Sequence, residues 1–463
     1  MNIIAHCVEE ISQLLTKNFE EIEDGALDFS TFVKNVEQTM RSLSVDLVED
    51  VMEKTEESIF SSPHRKNNYR VQRSNDEKVI STILGDVRLN RRYYQHKKNS
   101  SFVYLLDDFL GLEAHQRIDG SLEEDILRKA SEMSYQKTID SYEDIGIHSR
   151  MTVKNVVHKH EAKSNDLPTG EKREVPYIYI EADEDHVAYQ NGSNQEIKLV
   201  YIHEGFKDKK SEKERSKLKI TRRFAGRYKD TEELWEDVNY FIEEQYDTSK
   251  VQQIYLSGDG AHWIKKGLDY LPARTIFVLD PFHVSQSLKR ASVGIPEVLS
   301  TLHTWVEDDR MDFLNDYFEV RLADDQISRS SRKLLMNQRT YLRRHWEAIQ
   351  SQKDKHYISC SAEGHVSHYL SARLSSRPMG WSNRGADHIA KLRMYILNGG
   401  NLTVLIENNN KQRRKERKVK QLDRRVSSKH RQAYGVIQGK FPILEHSTDT
   451  MLRRGFSSFR GCY

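Results

Sequence analysis

The chain has 463 residues, 31% of them charged and 37% hydrophobic, with a formal net charge of only +2. That length suits two or three domains, and no apolar run approaches the roughly 18 residues needed to span a membrane. Cys7, Cys360 and Cys462 give neither a metal-ligand pair nor a disulfide framework, so a reduced, cytoplasmic protein is expected.

Charge is spread unevenly along the chain. Residues 1–60 carry 14 Asp/Glu against 4 Lys/Arg, whereas residues 401–463 carry 15 Lys/Arg against 5 Asp/Glu. A basic tail of that kind suits a polyanion, and the acidic start does not. The start, "MNIIAHCVEEISQLL", also lacks the basic n-region of a signal peptide.

Taken in order, residues 1–60 show helical periodicity (Ile11, Leu14, Leu15, then Phe32, Val36, Met40, Leu43). Two amphipathic helices follow from it, packing on the rest of the chain or on a second protomer. Residues 61–118 read as a small β unit, with strands near Val79–Leu84 and Val87–Tyr93 and a Gly85-Asp86 turn between them. Residues 119–165 read as three helices, with Ser134 and Ser149 as N-caps and Gly146 closing the middle one. That spacing fits a helix-turn-helix whose recognition helix, Ser149 to His160, would bring Lys154 to DNA. A linker, "KSNDLPTGEKREVP", comes next.

From 175 to 287 the pattern changes to three successive strands, a helix, the strand "VQQIYL", a short helix, and "RTIFVLDPFHV". Three strands joined by short turns and followed by βαβ units give a mixed α/β sheet. Residues 288–358 are helical and charged, and 359–400 hold two helices around a loop at Ser375–Ser382. Residues 401–463 form the basic tail.

Three acids sit at ends of elements: Asp183 on the first sheet strand, Asp259 after the fourth, and Glu363 at a helix start beyond the helical stretch. Asp259 stands between two glycines in "LSGDGAHW", where a βα turn or a helix cap is the plain reading. Strand alternation places Glu181 and Asp185 on the face of Asp183, so Asp185 is an alternative to it. Converging carboxylates repel one another unless a hard divalent cation lies between them. Two such ions would clamp the attacking and leaving oxygens of a phosphodiester.

The segments "SGDGAHWIKKG" and "LDPFHV", with "YIEADEDHV", "SSRPMGW", "GDVRLNRRYY" and "YLLDDFLGL", resemble the ISLre-type family of bacterial insertion-sequence DDE transposases, relatives of the Mutator-like group. The likeness runs from about residue 65 to about 400. It implies an RNase H-like mixed-sheet catalytic core with an all-helical insertion, preceded by the N-terminal helices, the β unit and the helix-turn-helix. It also implies a triad of Asp183, Asp259 and Glu363 holding Mg²⁺ or Mn²⁺, as two ions, with Asp280 and His283 as supports. The implied reaction is cleavage of DNA at terminal inverted repeats and strand transfer to target DNA, by a homo-oligomer that is at least a dimer on DNA.

DNA affinity would come from Lys and Arg on phosphates. Candidates are residues 207–223 with Arg222 and Arg223, then Arg373, Arg377 and Arg384, and the run 411–425 with Arg413 and Arg414. Trp305, Trp346 and Trp381 could stack on an unpaired base, and His365 and His368 could contact phosphate. A DNA-binding regulator or inactive copy, and an RNase H-like structure-specific nuclease, are the rival readings. A glycosidase with paired carboxylates is disfavoured by the basic segments.

Overall fold

Apolar residues at helical spacing make the amino-terminal part a hairpin of two helices, α1 (Ile3–Glu23) and α2 (Phe29–Ser61). Asp28 caps α2 by accepting from the Thr31 amide at 2.9 Å. The computed structural model describes residues 3–142, 145–162, 170–207 and 217–437. The chain divides into two units, Met1–Leu405 and Ile406–Tyr463.

Behind α2 lies an antiparallel sheet of β1 (Tyr69–Thr82), β2 (Gly85–His96) and β3 (Phe102–Tyr104), in that order. Val45, Val48 and Met52 of α2 pack on Ile80, Val87 and Leu89 of this sheet. The hairpin turns at Ile83 and Leu84, two residues earlier than the expected Gly85-Asp86 turn. Thr82 sets it: its hydroxyl accepts from the Leu84 amide at 3.1 Å and donates to the Gly85 carbonyl at 2.9 Å. Asp107 is buried beneath the sheet, with Arg91 at 2.6 Å and Lys78 at 3.2 Å.

Three helices follow: α3 (Gly120–Glu132), α4 (Tyr135–Asp140) and α5 (Arg150–Lys159). Ser134 and Ser149 are the N-caps, as expected. The middle helix stops at Asp140 rather than at Gly146, so residues 141–149 separate it from α5. That connection is longer than the 3–4 residues of a compact helix-turn-helix. Val153, Val156 and Val157 of α5 are buried, and Lys154 is half-buried.

The main sheet holds β4 (Tyr177–Ala188), β5 (Asn194–Phe206), β6 (Leu218–Gly226), β7 (Gln253–Gly258) and β8 (Thr275–Leu279). Its order is β6-β5-β4-β7-β8. The first three strands are an antiparallel meander, and β7 and β8 run parallel to β4. It is therefore the mixed α/β sheet that the apolar runs imply.

Period-two alternation gives β4 two different faces. Ile178, Ile180 and Ala182 enter a core with Trp235, Val238 and Phe241 of α6 (Thr231–Gln245), the helix between β6 and β7. Tyr179, Glu181, Asp183 and Asp185 therefore share the opposite face. After β8 come α7 (Pro281–Ala291), α8 (Leu299–Glu307), α9 (Met311–Ala323) and α10 (Arg329–Arg344), packed around Leu288, Leu302, Phe318 and Leu335. The first unit continues with α11 (Ala362–Val366), which passes into a π turn at Ser367–Ser371, and with α12 (Asn383–Leu397). α12 reaches back to α3 and α5: Arg393 donates to the Ser131 carbonyl, and Arg384 to that of His158 at 2.9 Å. A last helix, α13 (Leu402–Ile437), leads into the second unit.

The buried Asp107 cluster gives a stability test. Asp107→Ala leaves two buried cations without their anion, which costs about 3–5 kcal/mol. The midpoint of urea unfolding should fall accordingly, whereas Lys54→Ala, at an exposed i,i+4 pair, should change stability by less than about 0.5 kcal/mol.

Candidate active site

Parallel pairing of β4 and β7 sets Ile180 opposite Leu256 and Glu181 opposite Ser257. The same register, carried on to the strand ends, places Asp183 beside Asp259. The glycines around Asp259 have steric reasons. A Cβ on Gly258 would lie 2.7 Å from the Ala182 carbonyl oxygen and 2.7 Å from Ile264 Cδ1. One on Gly260 would lie 2.5 Å from the His345 ring, and Gly260 has φ +89°. Asp259 is not the cap of the next helix, since Ala261 holds that position. Its Oδ1 accepts from the Ala261 amide at 2.8 Å, and its backbone carbonyl accepts from the Tyr341 hydroxyl at 2.7 Å.

Burial pushes the Asp183 carboxyl up to about 7. The charges of Glu184 and Asp259 add to the rise, while the Glu184 amide and the charge of His283 oppose it. His283 answers in kind. Burial alone would lower its pKa, but Asp280, then Asp259 and Asp183, raise it on balance. Its Nδ1 lies 2.8 Å from Asp280 Oδ2, which leaves Nε2 for the cleft. Asp280 caps α7 through the Phe282 amide at 3.0 Å, and its own amide donates to the Gly258 carbonyl at 2.9 Å. Asp280 thus secures the end of β7 through its backbone amide and holds the His283 ring through its carboxylate.

An open cleft of about 550 Å³ lies in front of this strand end. His283, Gln286, Ser287 and Arg290 line one wall, and Asp259, Tyr341 and Glu363 also line it. The four on α7 follow an i, i+3, i+4, i+7 spacing, one face of a helix. Glu363 is exposed in the first turn of α11. Among the described residues, no three of His, Cys, Asp and Glu stand together as a ready metal site. The arrangement is Asp183 and Asp259 on adjacent strands, with Asp259 and Glu363 lining the same cleft. Carboxylate oxygens are hard donors of the kind that suit a divalent cation. Asp185 is otherwise engaged, because both its oxygens lie 2.9 Å from the Ser375 hydroxyl.

Glu181, which the sequence gives no role beyond sharing the face of Asp183, is held by several partners. It is 2% exposed, yet takes hydrogen bonds from the Tyr201 hydroxyl, from the Ser361 amide at 2.6 Å, and from the Ser361 hydroxyl at 3.2 Å. His203 Nε2 lies 2.9 Å from its other oxygen. Ser361 immediately precedes α11, so Glu181 fastens the helix of Glu363 to the strand of Asp183. The signal available in the sequence was the row of Glu181, Asp183 and Asp185 on one face of β4, opposite Ile178, Ile180 and Ala182.

Several expected DNA contacts need correction. Arg373 is 3% exposed; its Nε donates to the Ala130 carbonyl at 3.0 Å and its guanidinium lies over Trp381. Burial lowers its pKa to about 10. Arg222 is buried because it shares its strand face with Phe224, toward α6, and lies over Phe224 and Phe241. Neither is placed to meet a phosphate. Arg223 is half-buried, donating to the Leu397 carbonyl at 3.0 Å and stacked on Tyr369. Trp381 is core, with its Nε1 donating to the Leu374 carbonyl at 2.9 Å. Trp305 and Trp346 pack against the core of α7–α10. His365 Nδ1 is held by Tyr201 at 2.9 Å, whereas His368 is exposed. Arg377 is exposed, and Arg413 and Arg414 lie on α13 in the second unit. Residues 208–216 of the basic segment lie outside the described residues. Arg290, in the cleft, is the cation the sequence reading missed.

The model of the uncharacterised protein family UPF0236 matches residues 22–412. A UPF0236 protein of Caldanaerobacter subterraneus subsp. tengcongensis is 33% identical over 387 residues, 83% of this chain and 81% of its own. A second from that organism is 32% identical over 405 residues, 87% and 84% of the two chains. A UPF0236 protein of Streptococcus gallolyticus, described as lying in the vanSb 3′ region, is 24% identical over 414 residues, 85% and 86% of the two chains.

The close approach at Gly258 can be tested by a single methyl group. Gly258→Ala should destabilise by about 1–3 kcal/mol through overpacking against the Ala182 carbonyl. Gly364→Ala, where nothing lies within 4 Å of the added Cβ, should be neutral or stabilising by up to about 1 kcal/mol in a helix. Thermal melts of the two variants, beside the parent, decide it.

Proposed function

The chain belongs to the UPF0236 family, and we propose that it is a DNA transposase, cutting element ends and joining them to target DNA. The observation that carries this reading is that adjacent parallel strands set Asp183 level with Asp259, and that Asp259 and Glu363 line one cleft. In open α/β sheets such strand ends are where sites are built. The order β6-β5-β4-β7-β8, a meander followed by two parallel strands, supports an RNase H-like core. On this reading α8–α10 belong to an all-helical insertion between Asp280 and Glu363. One Caldanaerobacter relative carries a name that joins eleven locus labels, and another joins four. A gene repeated at many loci suits a mobile element.

Asp183, Asp259 and Glu363 would hold two Mg²⁺ or Mn²⁺ ions, which supply Lewis acidity at the attacking and leaving oxygens. The chain's own groups do the rest. Glu181, through Ser361, sets the helix of Glu363 against β4. Asp280 orients His283, whose Nε2 faces the phosphodiester as a donor, and Arg290 draws the phosphate into the cleft. Water attack breaks the P–O3′ bond and leaves a 3′-hydroxyl and a 5′-phosphate. That hydroxyl then attacks a target phosphodiester, releasing a target 3′-oxygen that takes up a proton. Catalysis rests on positioning and charge, with no covalent protein–DNA intermediate. DNA would be bound by a homo-oligomer at its terminal inverted repeats.

One observation favours a second reading, a DNA-binding regulator or inactive copy: no three described ligands stand together as a ready metal site. End cleavage separates the two. Full-length protein is given DNA carrying the gene's flanking sequences, with Mg²⁺, Mn²⁺ or EDTA. The transposase should nick at the element boundary only with metal, and Asp259→Asn should bind the same DNA without nicking it. Binding without cleavage under every metal would establish the regulator.

A further inference from the structure

Beyond the cleft, the α1–α2 hairpin carries an exposed apolar surface. The two helices meet along one seam, where Asn35 donates to Asn18 at 2.7 Å and Asn18 donates to the Leu14 carbonyl at 2.6 Å. A partly buried Asn pair of this kind fixes the register of a helical pair. On α1 a second apolar stripe, Val8, Leu15, Phe19 and Ile22, stands 45–61% exposed. On α2 a matching stripe, Phe29, Val33, Met40, Leu47 and Val51, is 38–77% exposed.

The stripes lie on one side of the hairpin. Leu14 and Asn18 of the seam are each followed directly by a stripe residue, Leu15 and Phe19. On α2, half-buried Phe32, Thr39 and Asp46 are likewise followed by Val33, Met40 and Leu47. With 3.6 residues per turn, that one-residue step rotates each stripe to the same flank of an antiparallel pair. The opposite flank of α2, through Val45, Val48 and Met52, is the one that packs on β1 and β2. The exposed face is therefore two helices wide and apolar along its length. At about half exposure, nine such side chains present on the order of 800 Å². The largest apolar patch of an ordinary monomer is roughly 300–600 Å², and a stable interface buries about 800 Å² per partner.

We propose that this face is the self-association surface of the protein: the hairpins of two copies pack face to face as a four-helix bundle. The occupant is a second copy because a two-helix antiparallel face is complementary to itself under a two-fold axis, and because its area matches what a stable dimer buries. Most acidic residues of α2 are partnered within the hairpin or on the sheet: Glu49, Glu56 and Glu57 bind the Arg88 and Arg92 amides and the Arg92 guanidinium, while Glu37, Asp46 and Asp50 lie beside Arg41, His6 and Lys54.

The test is the mass of full-length protein in solution without DNA, by sedimentation velocity over a range of concentrations. The parent should be a dimer. Phe19→Glu and Leu47→Glu, one on each helix and both at exposed positions, should each weaken association by about 30-fold or more. Val320→Glu, at a residue 72% exposed on α9, should leave the dimer intact. Circular dichroism shows whether each variant keeps its helices. A monomeric parent at every concentration overturns the proposal, as does a dimer that both hairpin variants preserve.

Discussion

The candidate site depends on how closely two backbones approach each other. At Gly258 the chain of β7 runs so near the Ala182 carbonyl of β4 that even a methyl group has no room. Parallel pairing, carried two residues past Glu181 and Ser257, sets Asp183 within β4 level with Asp259 just past the end of β7, and Asp259 lines the cleft. Gly260 completes the turn in a left-handed conformation against the His345 ring. The sequence "SGDG" is thus a steric statement before it is a chemical one.

Electrostatics follow from that geometry. Burial raises the pKa of Asp183, with the charges of Glu184 and Asp259 adding to it, and the positive charge of His283 opposes the rise. His283 is held by Asp280, whose amide also secures the end of β7. Glu181, one step back on the same strand face, ties Ser361 and hence the helix of Glu363 to the sheet. One strand therefore organises both the acid pair and its approach to the third acid. On the proposed function, the carboxylates of Asp183, Asp259 and Glu363 would supply hard oxygen donors to a divalent cation.

Much of the fold was legible because β7 and β8 are short apolar runs, β4, β5 and β6 contain apolar residues at strand spacing between turns, and α6 has a plain helical stripe. The placing of Asp259 at a strand end was legible because a Gly-Asp-Gly turn marks it locally, whereas Asp183 lies within β4 and comes level with it only through the pairing of β4 and β7. What escaped depends on contacts distant in sequence. Arg222 and Arg223 are neighbours with opposite fates, set by which face of β6 meets α6. Arg373 is buried because α3 supplies its carbonyl partner from 243 residues away. The Thr82 side chain, rather than the Gly85-Asp86 pair, settles the β1–β2 turn. Glu181 looked like a spare acid until Ser361, 180 residues on, supplied its partner.

The most direct test is to locate the cation itself. Crystals of the full-length protein soaked in Mn²⁺ would be measured for anomalous scattering. If the acid pair is a metal centre, a peak will lie about 2.0–2.6 Å from carboxylate oxygens of both Asp183 and Asp259. Mn²⁺ bound elsewhere on the protein, with none between these two residues at saturating concentration, would contradict it.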